Sequence, residues 1–196
     1  MTRKLNAELS ALMRARIPVS DTVLKAANPN TVAQWAMRSL EGVLEEGGNN
    51  RGKVVGWIQS VTGGSLGDSW CMYAWQCAVA FAEFWTGKQS PVYAAGHCKT
   101  VADYSPECRW HPPLIVPGAL AVVWLHGTGP DGHVGEILGF YHNLMMFTCE
   151  GNTSSGPGLS RDGDGFFHRM RKVEGEGDLK PYAYLVAFPD SLEVAN

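Results

Sequence analysis

The chain has 196 residues, 45% of them hydrophobic and 18% charged, which is enough for one globular domain with a sizeable core. A net charge of −3 and a pI near 6.1 exclude the global basic field that would draw the chain to nucleic acid. No apolar run approaches the ~18 residues of a membrane-spanning helix, and five cysteines at scattered spacings do not make a secreted disulfide framework.

Residues 1–28 read as a helical extension, weakly patterned and broken at Pro18. Its cations Arg3, Lys4, Arg14 and Arg16 read as the solvated face of a short helix rather than a polyanion site. Glu8 interrupts any apolar signal core and no small-residue cleavage site is evident, so the expectation is synthesis in a cytoplasm without a signal peptide. Residues 29–196 then read as a single domain. Asn28-Pro29-Asn30 marks a turn, and Thr31-x-x-Gln34 reads as a capping box. Val32, Trp35, Ala36, Leu40, Val43 and Leu44 follow at helical spacing until Gly47-Gly48.

Lys53 to Val61 reads as a second short helix. A third follows Gly63-Gly64, with Asp68 or Ser69 as its N-cap. From Cys71 to about Trp85 it carries only one charge, Glu83, so it is expected to be buried on most sides. Cys71 shares a face there with Ala74, Trp75, Ala78, Ala82 and Trp85. Residues 92–105 predict a further helix. After Pro117-Gly118 the texture changes to short β-leaning runs: Ala119 to Leu125, His133 to Phe140, Leu144 to Glu150, Phe166 to Val173 and Tyr184 to Phe188. Helices first and an antiparallel sheet second is an α+β layout.

The chemistry centres on Ser69-Trp70-Cys71. A thiol in the first turn of a helix is favoured as thiolate by the dipole and amides there. His133, in Gly132-His133-Val134-Gly135, stands downstream as the base. Cys149-Glu150-Gly151-Asn152 follows with the orienting acceptors. Positions two apart on a strand face the same side, so Glu150 and Asn152 can both reach one site. Either accepts Nδ1–H of His133 and leaves Nε2 toward the thiol. The Cys71 amide is one oxyanion donor, the second is unassigned, and Asn49, Asn50, Ser69 and Trp70 line the substrate-binding edge of the cleft. Nucleophile, base and orienter in this order point to a cysteine hydrolase.

Four segments carry a resemblance to a known family. They are Glu46-Gly47-Gly48-Asn49-Asn50-Arg51-Gly52, Ser69-Trp70-Cys71, the run from Pro117-Gly118 to Gly132-His133-Val134-Gly135, and Glu150-Gly151-Asn152-Thr153 with Arg161-Asp162-Gly163-Asp164-Gly165 after it. Spread over residues 41–190, they resemble the CHAP family of cysteine/histidine-dependent amidohydrolases and peptidases, in the NlpC-type papain-like group. The resemblance implies a papain-like fold and a phage endolysin-like peptidoglycan hydrolase, acting as an N-acetylmuramoyl-L-alanine amidase or an endopeptidase. It implies Cys71 as nucleophile, His133 as general base, and Glu150 with Asn152 as the orienting pair. It also implies bacterial peptidoglycan as the partner, with a holin giving access to the wall from the cytoplasm. No nucleic-acid partner and no stable membrane insertion are expected. Residues 1–28 match no part of that pattern, and no separate wall-binding module is visible.

Other readings have their own marks. A secreted antibacterial amidase effector would carry an immunity partner, and a catalytically silent wall-binding or virion module would have an unreactive Cys71. His97-Cys98 with Cys108 and His111 lacks the paired CxxC of a zinc site. Asp162-Gly163-Asp164-Gly165 has Phe166 where a calcium loop needs its third oxygen ligand. No metal and no cofactor are expected.

Overall fold

The structure, a computed structural model, describes residues 2–110, 121–126, 132–142, 144–154 and 163–192. Their order is α+β: six α-helices precede a six-stranded sheet. The helices are α1 (Ala7–Arg16), α2 (Asp21–Ala26), α3 (Pro29–Arg38), α4 (Lys53–Gln59), α5 (Cys71–Thr86) and α6 (Cys98–Asp103). The strands are β1 (Arg109–Trp110), β2 (Ala121–His126), β3 (Gly132–Tyr141), β4 (Met145–Thr153), β5 (Gly165–Lys172) and β6 (Leu179–Leu185). The sheet order is β1-β6-β2-β3-β4-β5, with every neighbouring pair antiparallel. Among the described residues no helix is long and apolar enough to cross a membrane.

The centre of the fold is α5. Every residue from Cys71 to Ala82 is buried, as a helix that is apolar all round requires. Helices α2, α3 and α4 pack on it from one side and strands β3 and β4 from the other. The helix stops at Gly87, whose φ of +69° suits glycine and whose N–H bonds the Glu83 carbonyl. Alternation along β2 sends Ala121, Val123 and Leu125 into this main core. Val122 and Trp124 go to a smaller cluster on the opposite face, with Ile137, Met146, Leu179 and Tyr184.

The N-terminal helices belong to the main core. Leu9, Met13 and Leu24 are fully buried in the same cluster as α5. Three of the four early cations are structural ties: Arg14 donates to Asp21 Oδ1 (2.8 Å) and to the Ile17 and Val19 carbonyls. Arg3 donates to Gln76 Oε1 (2.5 Å) and Glu83 Oε1 (3.0 Å) on α5, and to the Val92 carbonyl, while Arg16 donates to the Ser39 and Glu41 carbonyls.

Three elements, α3, α6 and β6, have bounds that differ from the sequence expectation. Helix α3 begins at Pro29 with Asn28 as its cap, the side chain accepting Asn30 N–H at 2.9 Å. Proline is preorganised for that first position, so the Thr31 capping box is not used. The same helix ends at Arg38, because residues 39–42 turn and Gly42 takes a φ of +77°. The helix expected over 92–105 is confined to α6. Upstream of it the backbone is spoken for by side chains: Gln76 donates to the Tyr93 carbonyl (2.9 Å) and Tyr93 N–H donates to Ser105 Oγ (2.8 Å). Strand β6 starts five residues earlier than expected. Pro181 hid it, and the structure accommodates this proline beside a register shift where Trp124 pairs with Pro181 and Val123 with Ala183.

Candidate active site

Cys71 is the first residue of α5, 4% exposed, and the cap position before it is Trp70, with no side-chain capping bond. This corrects the expectation of Asp68 or Ser69 as cap. The Asp68 carboxylate closes its own turn by accepting Ser65 N–H (2.9 Å) and also accepts the Tyr73 hydroxyl (3.1 Å). The amides of the first α5 turn are therefore not consumed by a side-chain cap, and their partial positive charge acts on the thiol.

Trp70 does not line a groove, because it is fully buried. Its Nε1–H donates to Glu45 Oε1 (2.8 Å), and its ring stands against Phe166 at 6.4 Å and against Gly151. A Cβ on Gly151 would come within 2.9 Å of that ring, so glycine between Glu150 and Asn152 is what lets the indole wedge under the nucleophile. Glu45 also accepts Asn50 N–H (2.6 Å), joining the loop after α3 to the start of α5. Asn50 sits at a φ of +55°, and its carbonyl accepts from Gln59 Nε2 (2.9 Å), which also donates to the Asp68 carbonyl (2.7 Å). Asn50 is thus a building part of this loop. Asn49 and Ser69 are exposed.

His133 lies near the start of β3, paired with Trp124 of β2, whose ring stacks on the imidazole at 5.9 Å and 20°. Its Nε2–H donates to Glu150 Oε2 at 2.8 Å. The ring is therefore turned opposite to the expected sense: the distal nitrogen meets the carboxylate, and Nδ1 is left for Cys71. The longer reach of Nε2 is what spans from β3 to a carboxylate fixed on β4. Glu150 is fully buried and fixed by three further donors. Arg171 of β5 gives Nε to Oε1 (2.9 Å) and Nη2 to Oε2 (2.5 Å), and Thr148 gives its hydroxyl to Oε1 (2.5 Å). Room for this carboxylate comes from Gly135, where a Cβ would lie 2.9 Å from Glu150 Cγ.

Asn152 does not join Glu150 in orienting the histidine. A register shift between Glu150 and Thr153 makes a bulge, and Asn152 takes a φ of +54° in it. The bulge breaks the two-residue alternation on which the shared face depended. Asn152 is 6% exposed, and its Oδ1 has no hydrogen-bond partner among the described residues.

Burial alone would push the Glu150 carboxyl up, but the Arg171 hydrogen bonds and the His133 charge outweigh it and bring it to about 2. Burial likewise pulls His133 down, and the Glu150 charge with the Cys71 hydrogen bond overcome this and raise it to about 9. The Cys71 thiol is lowered well below its ordinary value. The largest cause is a hydrogen bond from Cys98, opposed by burial and reinforced by the bond and charge of His133 and by Val134 N–H. These shifts favour a thiolate–imidazolium pair, held by a buried carboxylate and guanidinium.

Arg171, Thr148, Glu45, Gln59 and Cys98 were not singled out as site residues from the sequence. Thr148 had a usable signal, two residues before Glu150 on the same strand face. Arg171, in a strand of alternating charged residues, reads as solvent-facing, and nothing in the sequence announces its burial.

Cys98 lies against Cys71, with Sγ–Sγ 3.8 Å, and Cys108 is buried beside β6. His111, Pro117-Gly118 and Arg161-Asp162 lie outside the described residues. No group of three or more His, Cys, Asp or Glu among the described residues could hold a metal ion.

No protein-family model matches the sequence, and no curated protein matches it at a significant level. The functional reading therefore stands on the site itself and on the motif resemblance. Chemically, the arrangement can attack a carbonyl carbon with sulfur, protonate a leaving amine from the imidazolium, and deprotonate a water for the return step.

Proposed function

We propose that the protein is a cysteine peptidase or amidase of the CHAP type, with a papain-like arrangement, that hydrolyses an amide bond of bacterial peptidoglycan. The observation that carries the chemistry is the chain of contacts Cys71–His133–Glu150, with His133 Nε2 2.8 Å from the carboxylate. A nucleophile at the start of a buried helix, packed on an antiparallel sheet that supplies base and orienter, is the layout expected of papain-like enzymes. The wall as substrate rests on the motif resemblance: the Glu46–Gly52 loop, Ser69-Trp70-Cys71, Gly132-His133-Val134-Gly135 and Glu150-Gly151-Asn152.

In this mechanism the Cys71 thiolate attacks the amide carbonyl, and the oxyanion is met by the Cys71 backbone N–H at the α5 terminus. His133 gives its proton to the departing amine. A thioester joins Cys71 to the acyl part, and His133 then draws a proton from water, whose attack releases the carboxylic acid and restores the thiolate. Glu150 keeps the imidazole in position, and Arg171 keeps Glu150 in position. The site would act in the wall compartment after release from the cell that makes the protein.

Digestion of purified peptidoglycan followed by mass spectrometry of the soluble fragments tests the proposal. The expected products carry new amine and carboxyl ends at one type of amide bond, either lactoyl–peptide or within the peptide. Intact sacculi after prolonged incubation, or cleavage only between sugars, would overturn it.

A further inference from the structure

The five cysteines are all unpaired and buried, and two of them meet at the site. Cys98 Sγ lies 3.8 Å from Cys71 Sγ, in hydrogen-bond contact. The hydrolytic mechanism gives Cys98 no chemical step. We propose that Cys71 and Cys98 form a redox modification site, in which a peroxide oxidises the nucleophile and Cys98 resolves it into an intramolecular disulfide that silences the enzyme reversibly.

The two sulfurs need to approach by roughly 1.8 Å to reach a bond of about 2.05 Å. The fold allows this movement on the Cys98 side. Cys98 opens α6, a helix of six residues with no side-chain cap, and residues 94–97, which follow the tied Tyr93, lie in no helix or strand. Cys71 is held in α5, the most buried element, so Cys98 is the partner that moves. The remaining thiols are removed from this chemistry. Cys77 faces the Ile58 carbonyl, Cys149 is buried in β4 and Cys108 in the turn before β1; burial keeps each of them protonated. Cys71 alone among the five is biased toward thiolate, which is the form a peroxide oxidises.

Cys71 thiolate attacks one oxygen of hydrogen peroxide, the O–O bond breaks, and hydroxide leaves; sulfur is oxidised to the sulfenic acid and peroxide is reduced. The Cys98 sulfur then attacks Cys71 Sγ, the S–O bond breaks, and the departing hydroxide takes the Cys98 proton as water. A dithiol reductant reverses the disulfide by exchange. Without Cys98 the sulfenic acid would progress to the sulfinic acid, which does not return.

The inference rests on Cys71 being the reactive thiol, but its test needs no wall substrate. The full-length protein is treated with hydrogen peroxide in the presence of dimedone, then alkylated, digested and mapped by mass spectrometry. In the wild type the expected product is a Cys71–Cys98 cross-linked peptide, with Cys71 alkylation falling about tenfold and recovering after dithiothreitol. In Cys98→Ser, which keeps a hydrogen-bond donor, the expected product is a dimedone adduct or sulfinic acid at Cys71. If that variant fails to fold, the wild-type map decides alone. A wild-type Cys71 that ends as dimedone adduct or sulfinic acid, a cross-link between other cysteines, or no reaction with peroxide would each overturn the proposal. If sacculi are cleaved and no cross-link forms, only this inference falls. If the cross-link forms and no wall is cleaved, only the hydrolase reading falls.

Discussion

At the scale of single residues, the site is a row of charges that can only exist together. Glu150 is fully buried, which would cost several kcal/mol if it stood alone, and Arg171 supplies two parallel hydrogen bonds to it. Arg171→Leu is therefore expected to cost ~3–5 kcal/mol in urea unfolding, because an unpaired buried carboxylate remains. Arg171→Lys should restore much of that stability while leaving the falling limb of the pH–rate profile shifted to lower pH, since one ammonium cannot hold both oxygens in place. A stability loss with an unmoved pH profile would make Arg171 purely structural. Glu150→Gln should lower kcat by roughly 10²–10⁴-fold with KM little changed, because the imidazole loses the acceptor that fixes its tautomer. The residues to which the proposal gives a chemical role were visible in the sequence: a helix-start thiol, a histidine between glycines and a carboxylate appear in chain order. The supporting residues were not, because burial of Arg171 and the meeting of Cys71 with Cys98 depend on which strands and helices become neighbours. That information is absent from local patterning.

At the scale of elements, two features set the geometry. One is the bulge in β4, which gives Glu150 to the histidine and turns Asn152 aside. The other is Gly135 in β3, which leaves space for the Glu150 side chain between neighbouring strands. Gly135→Ala would press a Cβ to 2.9 Å from Glu150 Cγ and 3.1 Å from the Trp124 ring. The expected result is a loss of roughly 10²-fold in kcat/KM, as for other displacements of a catalytic group by about 1 Å. Unchanged kcat/KM in a folded variant would show that the carboxylate has slack. Most elements were legible from period and punctuation: α5 from its lack of charge, and the strands from β-branched runs between glycine turns. The β4 bulge was not, since an alternating pattern gives no sign of an extra residue. β6 was shifted because Pro181 argues against a strand until a register shift removes the need for its N–H.

At the scale of the whole molecule, the N-terminal helices close the core on which α5 rests. Leu9→Ala on α1 should cost ~2–5 kcal/mol in urea unfolding, because its fully buried side chain leaves a cavity. A cost near zero would mean that α1 is an appendage, as its weak patterning in the sequence had implied. The charge pair also shapes the pH response of the fold. His133 rises from 6.5 to about 9, so its contribution is complete below pH 6.5 and is lost as the pH rises through about 9. Glu150 falls from 4.5 to about 2, so its contribution is complete above pH 4.5 and is lost as the pH falls through about 2. The difference in Tm between wild type and Glu150→Gln should be largest between these windows and narrow above about pH 9. A difference independent of pH would mean the pair does not titrate as a unit. Whether the Cys71 thiolate cleaves wall amides is decided by clearing of purified peptidoglycan with wild type and a folded Cys71→Ala variant side by side. Clearing with release of new amine ends is expected from the wild type and none from the variant. Equal clearing by both, or none by the wild type, would contradict this role of Cys71.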